Sequence, residues 1–238
     1  MDMIKKQSKH ETVIRLEKVS KSFELGTRTI WALLEVDLSI KSTDFLIITG
    51  PSGCGKSTLL NIIIGADDPT QGRVQVRGVD LAGLDEDKRG LFRSQKMGIV
   101  HQAPHWIKSL NVEENVAMPL LIEGASTRNA LTRARAVLEE LGILGLGDHN
   151  PAELSGGEQQ KISFARALVT SPWIIIADEP TGNLDSQSAD ELMALLAKYH
   201  KEMKKTIILV THNEDYWSFG TKIIKLKDGS IIEASIHE

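Results

Sequence analysis

Apolar and polar residues alternate along VIRLEKVSKSF (13–23) and ALLEVDLSI (32–40), and GRVQVRGVDL (72–81) repeats the alternation. A period of two predicts half-buried antiparallel strands in the front third of the chain. The pattern then changes. NVEENVAMPLLIEG (111–124) and STRNALTRARAVLEELGI (126–143) carry helical spacing, with Ser126 or Thr127 as N-cap and Gly142 as the C-terminal stop. Beyond them, WIIIAD (173–178) and TIILVTH (206–212) are continuous apolar runs separated by the helical SADELMALLAKYHKE (188–202). Such runs predict buried parallel strands joined by a crossover helix. The chain closes on KIIKLKDGSIIEAS (222–235), where Asp228-Gly229 marks a two-residue hairpin. The charge run LDEDKR (84–89) and the helix LTRARAVLEE (131–140) are expected to be solvated faces.

The first chemistry stands directly after the apolar run FLIIT (45–49). In GPSGCGKSTLL, the spacing Gly50-x-x-x-x-Gly55-Lys56-Ser57 fits a phosphate-binding loop. Bare backbone there turns N–H groups toward phosphate oxygens, and the helix-like KSTLLNIIIG that follows puts the anion at a helix N-terminus. The loop comprises Gly50, Pro51, Ser52, Gly53, Cys54, Gly55, Lys56, Ser57 and Thr58. Lys56 is assigned to the β- and γ-phosphates, Ser57 to Mg²⁺ and Thr58 to the α-phosphate. Cys54 is open to two readings, a small spacer or a thiol activated by the helix terminus. The second chemistry is WIIIADEP (173–180), a buried strand delivering two adjacent carboxylates. Asp178 suits the positioning of Mg²⁺ and Glu179 faces an attacking water.

Composition narrows the class. The 238 residues, 41% hydrophobic, suit one large α/β domain with or without an inserted lobe. A net charge of −4 lacks the basic excess of a protein built to grip nucleic acid, so no nucleic-acid partner is expected. The single cysteine forbids an internal disulfide and agrees with a reducing cytosol. No apolar stretch approaches the ~18 residues of a membrane span, and MDMIKKQSKHETV has no signal core.

LSGGEQQKISFARAL (154–168), taken with the phosphate loop and ADEPTGNLD (177–185), resembles ATP-binding-cassette ATPases over nearly the whole chain. The resemblance implies a P-loop NTPase core with a mostly parallel sheet, an N-terminal antiparallel β subdomain and a helical signature subdomain inserted at about 103–170, within one domain spanning 1–238. In this family two subunits face head to tail, each nucleotide lying between one phosphate loop and the other's signature. Ser155, Gly156, Gly157 and Glu158 would then clamp the partner's γ-phosphate. Ser155 with Glu158 also reads as an ordinary capping box.

By the same resemblance, Gln102 in GIVHQAP reaches metal and water, His212 in LVTHNED bonds the γ-phosphate, and Asp185 couples the two sites. His101 stands where the family usually has an aromatic residue. Phe23 in SKSFELG takes the place of the aromatic stacked on adenine, though it can equally be a strand-end core residue. Among branches, the chain is similar to the lipoprotein-releasing and macrolide-exporting group. That implies ATP and Mg²⁺ as ligands, a homodimer or closely similar pair, and a separate integral-membrane permease. The ATPase would sit peripherally on the cytoplasmic face of the membrane. The chain ends just after its hairpin, without the regulatory domain appended in several importer ATPases. Pro104, Trp106 and Lys108 in VHQAPHWIKS fall where relatives meet the permease; an exposed variable loop is the other reading. A regulatory ATPase that moves a membrane partner but transports nothing is the alternative function. A soluble translation or DNA-repair ATPase is the less favoured rival, since members of those groups usually carry a second cassette, a long coiled coil or zinc-binding cysteines.

Overall fold

The computed structural model describes residues 11–236; the stretch expected to lack a signal core lies largely outside them. The chain divides into two compact units, residues up to Arg89 together with those from His200 onward, and residues Gly90–Tyr199.

In the first unit, β1 (Thr12–Leu25) and β2 (Arg28–Lys41) form a long antiparallel pair. β3 (Phe45–Thr49) leads into α1 (Lys56–Ile63), and β4 (Gln71–Val76) returns to pair with β1 before the short β5 (Val79–Asp80). These strands give a sheet in the order β2-β1-β4-β5, with only β3 elsewhere. Ile14, Leu16, Val36 and Leu38 turn inward while Arg15, Glu17 and Asp37 face water at a period of two, until irregularities at Lys18 and Glu35 (φ 47° and 44°) break it.

β3 instead belongs to a mostly parallel group with β8 (Thr206–Val210), β9 (Lys222–Lys227) and β10 (Ser230–Ile236). β3 runs parallel to β8 with Ile48 opposite Val210, and parallel to β9 with Ile47 opposite Ile223. Every residue of β3 and β8 is buried, so their unbroken apolar runs are the signature of strands covered on both faces. β10 returns antiparallel through Asp228-Gly229, whose φ values of 47° and 78° suit the tight hairpin turn read from the sequence.

In the second unit, α2 (Glu86–Lys96), which begins just before it, leads to β6 (Met97–His101). α3 (Val112–Ile122), α4 (Thr127–Glu140) and α5 (Gly156–Leu168) follow, then β7 (Ile174–Asp178) and α6 (Ser186–Lys201). Asn111 and Glu114 form a capping box on α3, and Ser126 caps α4. β6 and β7 pair in parallel, Val100 opposite Ala177. The charge run LDEDKR enters α2, which buries none of its residues.

α4 departs from the expected solvated face. Its Ala130, Ala134, Val137 and Leu138 are buried at helical spacing. Its arginines are also engaged: Arg133 donates to the Val169 carbonyl (3.3 Å) and Ser171 hydroxyl (2.8 Å), and Arg135 pairs with the nearly buried Glu113 (2.8 Å). The charges hid this four-residue apolar stripe.

Phe45 anchors the first unit. It is fully buried, edge-on to His200 (5.4 Å between ring centres) and stacked with Phe219 (6.4 Å). Phe45→Ala is expected to lower unfolding stability by about 3–5 kcal/mol in urea melts, through lost burial and the cavity left behind. A loss below about 1 kcal/mol would mean the site collapses freely.

Candidate functional site

The phosphate loop leaves β3 at Gly50 and enters α1 at Gly55, the N-cap. Two elements clasp it from behind. The Gly229 N–H donates to the Cys54 carbonyl (3.1 Å), and the Gly229 carbonyl accepts from Leu34 N–H (2.9 Å), so the β9–β10 turn ties the loop to β2. Gly50 has φ +146°, and a Cβ there would overlap the Leu226 carbonyl oxygen and approach Cys54 Sγ to 2.9 Å. Cys54 is buried, which favours the spacer reading over the reactive thiol.

The loop fits a polyphosphate. α1 has no side-chain cap and no acidic residue in its first turn, which keeps its leading N–H groups available to an anion. The Lys56 ammonium donates to the Gly50 and Pro51 carbonyls (2.8 and 3.0 Å), folded over the loop it would serve. Pro51, Ser52, Gly53 and Ser57 are exposed and Thr58 is half-buried.

The β3–β8 register puts His212 and Gly50 beyond the same strand edge. Thr211 N–H donates to the Ile48 carbonyl (3.2 Å), its hydroxyl accepts from Asn213 N–H (3.1 Å), and Asn213 accepts from Asp215 N–H (2.9 Å). These bonds fix the turn carrying the exposed His212. Phe23, 42% exposed, lies under the Lys21 ammonium, 5.1 Å from the ring centre. Asp67 and the Asp68 carbonyl hold that ammonium in place. The exposure disposes of the core reading for Phe23.

In the second unit, His101 opposite Asp178 brings Gln102 and Glu179 to one strand edge. Glu179 holds the left-handed conformation, φ 45°, costly for a residue with a side chain and frequent at functional sites. Gly182 N–H donates to the Glu179 carbonyl (3.1 Å), and a Cβ on Gly182 would lie 2.9 Å from Gln102 Nε2, so the turn after Glu179 closes on that amide. Burial, with His105 and Arg166 adding to it, pushes His101 below the ordinary histidine value.

Ser155 caps α5 through a complete capping box, so the ordinary structural reading of this pair holds. Its hydroxyl donates to Glu158 (2.7 Å), as does its N–H (2.9 Å), and these bonds hold the Glu158 carboxyl below the usual carboxylate range. Gly156 is exposed. Gly157 has a packing reason as well, because a Cβ there would overlap the Ser188 side chain of α6. Asp185 accepts from the N–H and hydroxyl of Ser188 (both 2.9 Å), bonds that lower its carboxyl pKa and fasten the start of α6.

Sequence reasoning missed Leu34, Gly229 and Ala32, whose carbonyl oxygen a Cβ on Gly55 would overlap, behind the phosphate loop, and on α5 it missed Gln159, Gln160 and Arg166, which donate to the Leu154, His101 and His105 carbonyls. The first three act through main chain, so their side-chain types gave no signal; the last three sat inside a motif read for its serine and glycines. Among the described residues, no group of three or more His, Cys, Asp or Glu could hold a metal ion. The Ser57 hydroxyl at the start of α1, and separately the Gln102 amide and Asp178 carboxylate at the β6–β7 edge, offer oxygen donors of the kind Mg²⁺ takes.

Residues 33–182 match the ABC transporter family. The chain belongs to that family. It is an ABC-type ATPase, which splits ATP to ADP and phosphate. It is 43% identical over 224 residues to an uncharacterized ABC transporter ATP-binding protein of Methanocaldococcus jannaschii, covering 93% of this chain and 98% of that one. It is 37% identical to the lipoprotein-releasing system ATP-binding protein LolD of Legionella pneumophila, covering 93% and 98%. Against the macrolide export ATP-binding/permease protein MacB of Mannheimia succiniciproducens, identity is 40%, with 93% of this chain and 34% of that protein covered. A solved structure of the cassette MJ0796, dimeric, post-hydrolysis and bound to ADP and Pi, superposes with TM-score 0.87 at 39% identity, covering 94% of this chain and 98% of that one. The expected α/β cassette fold, with antiparallel N-terminal sheet and parallel-rich second sheet, is therefore the observed one.

Gly50→Ala is expected to force the loop off Leu226 and weaken ATP binding at least ~10-fold, about 1.4 kcal/mol, in a fluorescent-nucleotide titration. Unchanged affinity would mean the hairpin yields without disturbing the loop.

Proposed function

We propose that two copies of this chain close head to tail around two ATP molecules and drive a separate membrane permease of the export or lipoprotein-release type. The observation that carries this reading is that one chain presents two glycine-containing loop–helix junctions, Gly50–Ser57 at the uncapped α1 and Ser155–Gly157 at α5, where Ser155 and Gly156 are exposed to a neighbour. A single triphosphate site needs only the first. The dimeric state of the ADP- and Pi-bound MJ0796 cassette supports the pairing, and the names of the LolD and MacB relatives support the export branch. Among the described residues no helix is long and apolar enough to cross a membrane, which fits an ATPase docked to a permease at the cytoplasmic face.

Each residue has a role in this reading. The N–H groups of Ser52–Thr58 wrap the phosphates and Lys56 neutralises the β- and γ-oxygens. Phe23 offers its ring to the base. Ser57, Asp178 and Gln102 would hold Mg²⁺, which when bound spreads the charge of the β- and γ-phosphates. Glu179 orients and polarises the attacking water, and His212 donates to a γ-phosphate oxygen. Ser155 with the Gly156–Gly157 backbone completes the neighbour's site, and Asp185 couples the two sites across the dimer. Phosphoryl transfer to water needs positioning and charge neutralisation more than covalent help, so the rate depends on closure. The strained backbone of Glu179 supports its catalytic assignment.

Glu179→Gln keeps the shape and hydrogen-bonding reach but removes the base. It is expected to bind ATP with wild-type affinity, accumulate a dimer in size-exclusion chromatography with ATP, and lose turnover by about 100-fold or more. Hydrolysis at the wild-type rate would remove Glu179 from the mechanism, and a monomer throughout would count against the closed pair.

A further inference from the structure

The chain on either side of Gln102 is bound to the signature helix by three side chains of α5. Gln160, 2% exposed, donates from Nε2 to the His101 carbonyl (2.8 Å). Arg166 donates to the His105 carbonyl (2.7 Å), and its guanidinium lies over the Trp106 ring, 4.6 Å from the centre. The Trp106 indole Nε1–H donates to Gln159 Oε1 (2.8 Å), and Gln159 Nε2 donates to the Leu154 carbonyl (2.9 Å). Gln159 and Arg166 are seven residues apart, two turns along one face of α5, so a single side chain can lie against both.

The direction of these bonds is dictated by chemistry. An indole N–H only donates and a main-chain carbonyl only accepts, so the Gln159 amide between them has one workable orientation. Leu154 immediately precedes Ser155, the N-cap of α5. Trp106 therefore sets the amide that grips the carbonyl just before the signature serine. Because Arg166 holds Trp106 and His105 together, residues 105–106 and Leu154–Ser155 are parts of one hydrogen-bonded body.

We propose that Trp106 is a positioning residue for the signature: through Gln159 it fixes the approach of Ser155 to a nucleotide bound by a second copy of the chain. This rests on the shared-nucleotide reading above. A segment so tied to the signature transmits any displacement at Trp106 to the serine, which gives this departure in VHQAPHWIKS a function of its own.

Two substitutions break the chain at different links. Trp106→Phe keeps a ring for Arg166 but removes the indole donor. Gln159→Glu keeps an acceptor for the indole but removes the donor to Leu154. In the Glu179→Gln background, ATP-driven dimerisation is measured by sedimentation across chain concentration, and ATP affinity is measured on dilute monomer. Each variant is expected to raise the dimer dissociation constant roughly five- to tenfold, the effect of losing one part-buried hydrogen bond, with monomer ATP affinity and urea midpoint near those of the parent. Ser155→Ala is run beside them. If Ser155→Ala dimerises like its parent, the shared-nucleotide reading fails and the proposal with it. If Ser155→Ala is weakened while Trp106→Phe and Gln159→Glu are not, the positioning role alone is overturned. Equal losses in monomer ATP affinity would also overturn it, since the effect would then be general to the fold.

Discussion

The phosphate loop can work only where main chain meets main chain without a side chain between. Gly50 lies so close to Leu226 that a single methyl would overlap its carbonyl, and Gly229 shares its two backbone bonds between Cys54 and Leu34. The loop is thus clamped from behind by groups that cannot rotate away, while the leading N–H groups of α1 and the Lys56 ammonium stay on its open side. Preorganised donors of this kind lose little freedom on binding an anion, which is why a short glycine-rich turn can hold a highly charged ligand. The buried strands β3, β8 and β9 matter to function because they hold that clamp in register.

The signature works by a different device. α1 starts uncapped, whereas α5 starts with its own carboxylate seated on Ser155. A serine hydroxyl has one proton to donate, and here it goes to Glu158. In the proposed closure a neighbour's phosphate would accept that hydrogen bond instead, so that Glu158 would be the resting acceptor and structural cap and ligand site successive uses of the same serine. The bonds from Gln159 and Trp106 matter in this setting, because a serine that exchanges acceptors needs its backbone held from elsewhere.

Much of this was legible in the chain, for identifiable reasons. The apolar runs of β3, β7 and β8, the Ser126 cap and the Asp228-Gly229 turn each follow a one-dimensional rule, and each was found where its rule put it; the β1–β2 alternation holds only between irregularities at Lys18 and Glu35 that the pattern did not announce. Spacing likewise marked Gly50 to Ser57, and the strand ending in Asp178 marked the carboxylates. Other features had no such trace. β6 is five residues long and includes Gly98, whose missing side chain admits the Ala167 carbonyl; only that tertiary fit makes it a strand position. α4 looked solvated because its arginines and glutamates outnumber its large apolar residues, while Ala130 and Ala134 pack beside Val137 and Leu138. The supports behind the phosphate loop act through peptide groups, which every residue type possesses. Trp106 stood out as a departure, but its partner lies 53 positions away on α5, a distance no local pattern spans.

The central claim is that a complete hydrolytic site takes two chains. The direct measurement is ATPase rate per chain, at saturating ATP, over chain concentrations from nanomolar to tens of micromolar. Sharing of each nucleotide between copies requires the specific rate to climb with concentration and level off as chains pair. A specific rate that stays constant down to concentrations where sedimentation finds only monomer would contradict it.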